Sequence, residues 1–173
     1  MTAYLFSLVM AIGINPVPKG PIGDELVYYT QHPVGRRQIA EGLERFRELR
    51  PIIESELRAR NLPLELAAIP LVESGYANLP DQRKNAKCCA GVWQMRRDTA
   101  RRLGLVVGRK TDERRLLRPS TRAAAKLLAR QFRRFKDWGL AIAAYNAGEH
   151  AVERALRRGK TRDIGTLVAN GHL

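Results

Sequence analysis

Three short runs hold the residues able to do chemistry. In "AIPLVESGY" an apolar stretch ends on Glu73, followed by Ser74 and Gly75; "AGVWQM" carries Trp93, Gln94 and Met95; "AAYNAG" carries Tyr145 and Asn146. A carboxylate sits poorly at a helix C-terminus, where the macrodipole favours cations. At the end of a buried helix it also loses water, and desolvation raises its pKa so that the proton stays on near neutral pH. Such an acid can protonate a leaving-group oxygen. A glycosidic oxygen is the natural case, with carboxyls of this kind near roughly pKa 6. The amides of Gln94 and Asn146 and the phenol of Tyr145 could then hold a sugar chain and its N-acetyl groups, while Trp93 and Met95 offer apolar surface to sugar faces. Singly, each run has a plainer reading: a capping or ion-paired Glu73, ordinary core for Trp93 and Met95, a helix end closed by Gly148 for Tyr145 and Asn146. The combination is what points to chemistry.

The elements that must position these runs read as helices. Ile39, Leu43, Phe46, Leu49, Ile53 and Leu57 recur at three and four, one amphipathic face beginning near Arg36, with Pro51 able to kink or split it. Asn61 and Pro63 then open a helix whose residues Leu64, Leu66, Ala67, Ala68, Ile69, Leu71 and Val72 are apolar nearly all round, as for a buried element. After a polar loop from Asn78 to Cys89, "AGVWQMRRDTARRLGL" reads as a helix ending near Gly104, and Val106 to Leu117 as irregular. Pro119-Ser120-Thr121 opens a long helix with Ala124, Leu127, Leu128, Phe132 and Phe135 inside; Trp138 starts the next, and Ala151 to Arg158 and Asp163 to Ala169 close the chain as short helices. No strand alternation and no internal repeat stand out, so the expected class is all-α, a bundle of short helices.

The chain has 173 residues, enough for one domain with a real core. Its formal net charge is +14, and residues 96 to 134, with fourteen Lys/Arg against three Asp/Glu, supply most of it. That balance suits a polyanionic neighbour or, more simply, solvated helix faces. Cys88 and Cys89 are adjacent, too close for an unstrained disulfide, and no zinc-binding spacing exists. Residues 1–35 form an apolar segment, Ala3 to Ile14, followed by a Pro/Gly-rich extended arm. The apolar segment is short for a membrane span and lacks a basic start, which leaves export or anchoring and a packed arm both open.

The order Glu-Ser, then Gly-x-x-Gln-Met, then Ala-Tyr-Asn resembles the lytic transglycosylases with a soluble-lytic-transglycosylase (SLT) domain, and looks closest to the membrane-bound type D subgroup. "LPLELAAIPLVESGY", "DERRLLRPSTRAAAKLL" and "DWGLAIAAYNAG" carry the likeness beyond the motifs, over about Arg36 to Arg158. The resemblance implies a lysozyme-like, goose-type bundle in residues 36–173. It implies cleavage of peptidoglycan between N-acetylmuramic acid and N-acetylglucosamine. Carried over by position, Glu73 is the single acid/base: it protonates the glycosidic oxygen, then deprotonates the muramic C6 hydroxyl, which closes a 1,6-anhydro ring without water. Ser74 would orient near Glu73, Gln94 and Met95 would line the sugar groove, Tyr145 would hydrogen-bond near Glu73, and Asn146 would contact substrate or fix the loop. A hydrolase of the usual kind needs a second carboxylate; Asp81 and Asp98 flank the motifs without belonging to them.

The likeness has departures. "NAKCCAGVWQM" places Cys88 and Cys89 where the family commonly has Ser-x-x-Gly-Ala-x-Gly-Leu, with Val92 for the usual Leu, and Leu116 stands where Asp is frequent. The expected partner is the peptidoglycan glycan strand, with an anionic wall polymer met by the Arg-rich stretch; the protein is expected as a monomer in the periplasm or cell envelope, or on a phage particle, with no cofactor and no metal. Membrane attachment stays open. Rival readings are a basic helical domain that binds nucleic acid, disfavoured because no such motif is present, a wall-binding scaffold without catalysis, and a goose-type lysozyme that uses water.

Overall fold

The computed structural model describes residues 27–80 and 89–173, so the expectations for Ala3 to Ile14, for Asp81 and for Cys88 lie outside the described residues. Helix α1 runs from Pro33 to Arg58. His32 caps it, its Nδ1 accepting from Val34 N at 3.3 Å, and Pro33 supplies a preset first turn. Residues 27–31 are already helical, so the extended arm expected as far as residue 35 ends earlier. Pro51 lies inside α1, which continues through it. The expected apolar stripe is covered from Phe46 onward, whereas Leu43 is 48% exposed.

The expected buried helix from Leu64 to Val72 is two pieces: a 3₁₀ turn, Leu64–Ala68, then the short helix α2, Ile69–Ser74. Pro70 has no N–H to continue an α ladder from the preceding turn, which separates the two. The stretch read as one helix from Ala90 departs further. It forms a hairpin, β1 (Cys89–Ala90) against β2 (Met95–Arg96), with Ala90 opposite Met95, and only then helix α3, Arg97–Arg102. Gly91 at φ 77° and Gln94 at φ 44° are both left-handed, which breaks a right-handed helix in this run. Strands of two residues are too short to leave an alternation in the sequence.

Beyond a bridge between Val107 and Asp112 and a 3₁₀ turn at Glu113–Arg115, four helices complete the chain. They are α4 (Leu117–Phe135), α5 (Trp138–Ala147), α6 (Glu149–Gly159) and α7 (Ile164–Ala169). The all-α class expected from the sequence holds. α4 is the central element and packs on both α5 and α1, while α5 packs on α6. Small residues on α4, Ala123, Ala124 and Ala125, let its neighbours approach closely. α5 is apolar on every side, with Gly139 to Ala144 buried. Between α1 and α4, buried Glu56 accepts from Arg118 at 3.1 Å and Arg122 at 3.1 Å. Among the described residues no helix is long and apolar enough to cross a membrane.

Candidate active site

Glu73 is the penultimate residue of α2, and several contacts fix where that helix stops. Gly75 adopts the left-handed conformation at φ 57°, its N–H bonding Leu71 O at 2.9 Å while Tyr76 N–H reaches Pro70 O at 3.2 Å, the double closure of a helix C-terminus. Arg45 of α1 donates to Gly75 O at 3.0 Å. Tyr76 is buried, its hydroxyl donating to Ala67 O at 2.7 Å and its ring stacked on Phe46 with centroids 4.8 Å apart. Ser74 has one hydroxyl proton, which goes to Val92 O at 2.7 Å; Pro70 O lies at 3.2 Å. Ser74 thus ties the end of α2 to the hairpin turn rather than reaching for Glu73.

Further contacts hold that turn, residues 91–94, and the strand that follows it. Trp93 Nε1 donates to Thr121 Oγ1 of α4 at 2.9 Å, and Tyr145 of α5 donates its hydroxyl to Trp93 O at 2.8 Å. Gly91 N–H bonds Leu79 O at 2.9 Å. Fully buried Arg114 donates to Met95 O at 3.1 Å while its guanidinium is paired with Asp112. Gln94, in its left-handed conformation, turns its side-chain amide back onto Gly91 O at 2.7 Å.

Between α2, the hairpin and α5 lies a narrow cleft of about 90 Å³, lined by Glu73, Gln94, Met95, Tyr145 and Asn146 together with Cys89 and Leu127. Among its described lining residues Glu73 is the sole carboxylate. Burial pushes the Glu73 carboxyl from 4.5 to about 7. Asn146, at the end of α5, offers its amide to Glu73 Oε1 at 3.4 Å, a long contact. Burial raises the Tyr145 phenol well above its usual range, and the Glu73 charge adds to this, so Tyr145 is a neutral donor. All five residues expected around Glu73 therefore gather near it. One expectation changes. Trp93 is wholly buried and gives no surface to a sugar; it is the core anchor of the turn. Tyr145, expected to hydrogen-bond near Glu73, donates to the turn backbone at Trp93 O. Met95 is 3% exposed, a floor of the cleft more than a face.

The family profile described as "Transglycosylase SLT domain" matches residues 50–168, well over half of the chain. The chain belongs to the transglycosylase SLT family. The SLT region begins within α1 and ends within α7, so it contains the whole cleft. Over 120 residues the chain is 38% identical to "Membrane-bound lytic murein transglycosylase D" of Escherichia coli (strain K12), covering 66% of this chain and 26% of that protein. Over 111 residues it is 37% identical to "Putative tributyltin chloride resistance protein" of Alteromonas sp. (strain M-1), covering 64% of this chain and 52% of that one. The chain spans about a quarter of the first relative's length and about half of the second's.

Sequence reasoning missed the residues that hold the SLT cleft together. Asp112 and Arg114 fall in the stretch read as irregular and Thr121 at the opening of the long helix, and nothing local marks them as partners of the hairpin. Gly91 carried a usable signal, a glycine just before a Trp-Gln pair, which reads as a turn as readily as a helix. Among the described residues no group of three or more His, Cys, Asp or Glu could hold a metal ion.

Proposed function

We propose that this SLT domain, residues 36–173, is a peptidoglycan lytic transglycosylase with Glu73 as its single acid/base. The observation that carries the reading is a lone carboxyl, raised to about 7, in a cleft that also presents the hydrogen-bonding side chains of Gln94, Thr99, Tyr145 and Asn146 and the guanidinium of Arg96. A group with that pKa can give a proton and take one back near neutral pH, which suits both halves of the reaction. Glu73 first donates to the oxygen between N-acetylmuramic acid and N-acetylglucosamine as the anomeric bond breaks. The resulting carboxylate then accepts the proton of the muramic C6 hydroxyl, whose oxygen bonds its own anomeric carbon. The nucleophile is part of the substrate, so positioning replaces a second protein acid. Asn146 steadies the Glu73 carboxyl, Gln94 and Tyr145 shape the walls, and Ser74 holds the helix end that presents the acid. The similarity to an E. coli protein named as a lytic murein transglycosylase supports the substrate. The same reading places the protein in the periplasm or cell envelope, or on a phage particle, acting as a monomer.

The deciding experiment is mass spectrometry of fragments released from purified peptidoglycan by the wild type and by Glu73→Gln. Anhydro-ended fragments from the wild type alone are expected. Reducing ends would mean a hydrolase that uses water. Release by neither protein, with the fold intact, would leave a wall-binding scaffold.

A further inference from the structure

A separate hollow of about 490 Å³ lies between the segment after α2, the start of α3 and the loop from Gly108 to Leu116, and shares no described lining residue with the Glu73 cleft. Its walls are held by the backbone. The loop doubles back where Val107 bridges Asp112, Gly108 N–H bonds Thr111 O at 2.8 Å, and Arg101 donates to Val107 O at 2.8 Å. Asn78 donates its side-chain amide to Arg115 O at 3.0 Å, which ties the segment after α2 to the 3₁₀ turn. A site fixed before its ligand arrives loses little ordering entropy on binding.

Charge is left over in this hollow. Elsewhere Glu54, Glu56 and Glu149 each take two arginines. Here Arg109, Lys110 and Arg115 line the space, are exposed, and form no ion pair among the described residues. The carboxylate in the described wall, Asp112, is spent on the buried guanidinium of Arg114, at 2.9 and 2.6 Å. Three like charges around one space repel, and an anion between them removes that cost. A phosphate monoester carries close to two charges near neutral pH and has three strong acceptor oxygens. A carboxylate brings one charge and two oxygens. Inorganic phosphate has the charge without the size, since the volume lies in the range of roughly 300–1,000 Å³ that organic ligands occupy. Among the described lining residues none is aromatic, so a nucleotide base has no ring to stack on. Asn78 and Thr111 instead present polar side chains suited to hydroxyls.

We infer that this hollow binds a phosphorylated saccharide, its phosphate monoester meeting Arg109, Lys110 and Arg115 and its hydroxyls meeting Asn78 and Thr111. The site gives the chain a hold on phosphate-bearing sugars that is separate from bond cleavage and does not depend on the Glu73 reading.

The test titrates the full wild-type chain calorimetrically with glucose 6-phosphate, glucose, glucuronate, inorganic phosphate and adenosine monophosphate. Glucose 6-phosphate is expected to bind at least about tenfold tighter than each of the others. Arg109→Gln, Lys110→Gln and Arg115→Gln together, all surface side chains, should reduce that preference to below about threefold. A control with the same change in charge, Arg133→Gln with Arg157→Gln and Arg158→Gln, alters exposed residues outside the hollow and should leave the preference at about tenfold or more. Equal losses in the two triple variants would assign binding to the overall positive field. Inorganic phosphate or glucuronate binding as tightly would mean a site for simple anions, tighter adenosine monophosphate a nucleotide site, and no binding of glucose 6-phosphate a solvated surface; each of these overturns the proposal. Failure of the cleavage reading leaves the expectation unchanged, because none of the substituted residues lines the Glu73 cleft.

Discussion

At the scale of single residues, the raised Glu73 pKa has a consequence for stability as well as for catalysis. The unfolded chain releases this proton near 4.5, whereas the folded protein keeps it to about 7. Between those values the folded state binds more protons, so stability falls as pH rises, and charging the buried carboxyl costs on the order of 3 kcal/mol once the pH exceeds both. Glu73→Gln removes that cost. Its thermal midpoint is expected to match the wild type near pH 4.5 and to exceed it at pH 8. Parallel curves for the two proteins would mean that Glu73 is not desolvated. Cleavage should follow the acid form, with kcat/KM declining above about pH 7.

At the scale of elements, the hairpin and α1 each make a strong prediction. A Cβ on Gly91 would lie 1.9 Å from Arg114 O, at a φ of 77°. Neither backbone can yield without disturbing the Arg114–Met95 bond, so Gly91→Ala should cost more than about 2 kcal/mol and lower kcat. Gly104 has a similar φ, 96°, with nothing within 4 Å, so Gly104→Ala should cost only about 1 kcal/mol of backbone strain and leave kcat alone. Denaturant titration of both variants checks the contrast, and equal losses would mean that the clash is absorbed. In α1, Pro51 lies inside the helix and is exposed. Pro51→Ala restores a donor to the ladder, offset in part by greater freedom of the unfolded chain. A gain of about 1–2 kcal/mol is expected, and a loss would show that α1 depends on the shape proline gives it.

At the scale of the whole molecule, charge dominates. A net charge of +14 draws the protein to any polyanion, whatever the cleft recognises. Binding of Glu73→Gln to purified walls is expected to weaken on the order of tenfold when salt rises from 0.15 to 1 M, as the screening length shortens from about 8 to 3 Å. Binding unmoved by salt would assign wall affinity to the cleft instead of to the surface. Many of the arginines also meet acids in the fold: Arg118 and Arg122 close on Glu56, and Arg50 and Arg58 on Glu54. The basic composition therefore joins helices as well as facing solvent.

What the sequence determined by itself is local and periodic. The apolar spacing of α4 and α5 set two core helices, because a helix must bury a stripe or, when apolar all round, itself. The three motif runs marked the residues of the cleft, because a lone acid after an apolar run, an amide and a phenol are chemically distinct from their surroundings. What tertiary structure decided is everything that depends on residues far apart in the chain. The run after Ala90 is a hairpin because α4, α5 and Arg114 grip its turn at Thr121, Trp93 O and Met95 O, contacts that no window of neighbouring residues contains. Trp93 became core and Tyr145 a brace for the same reason. The raised pKa of Glu73 belongs to both levels: the sequence placed the acid at the end of an apolar helix, and packing removed the water from it.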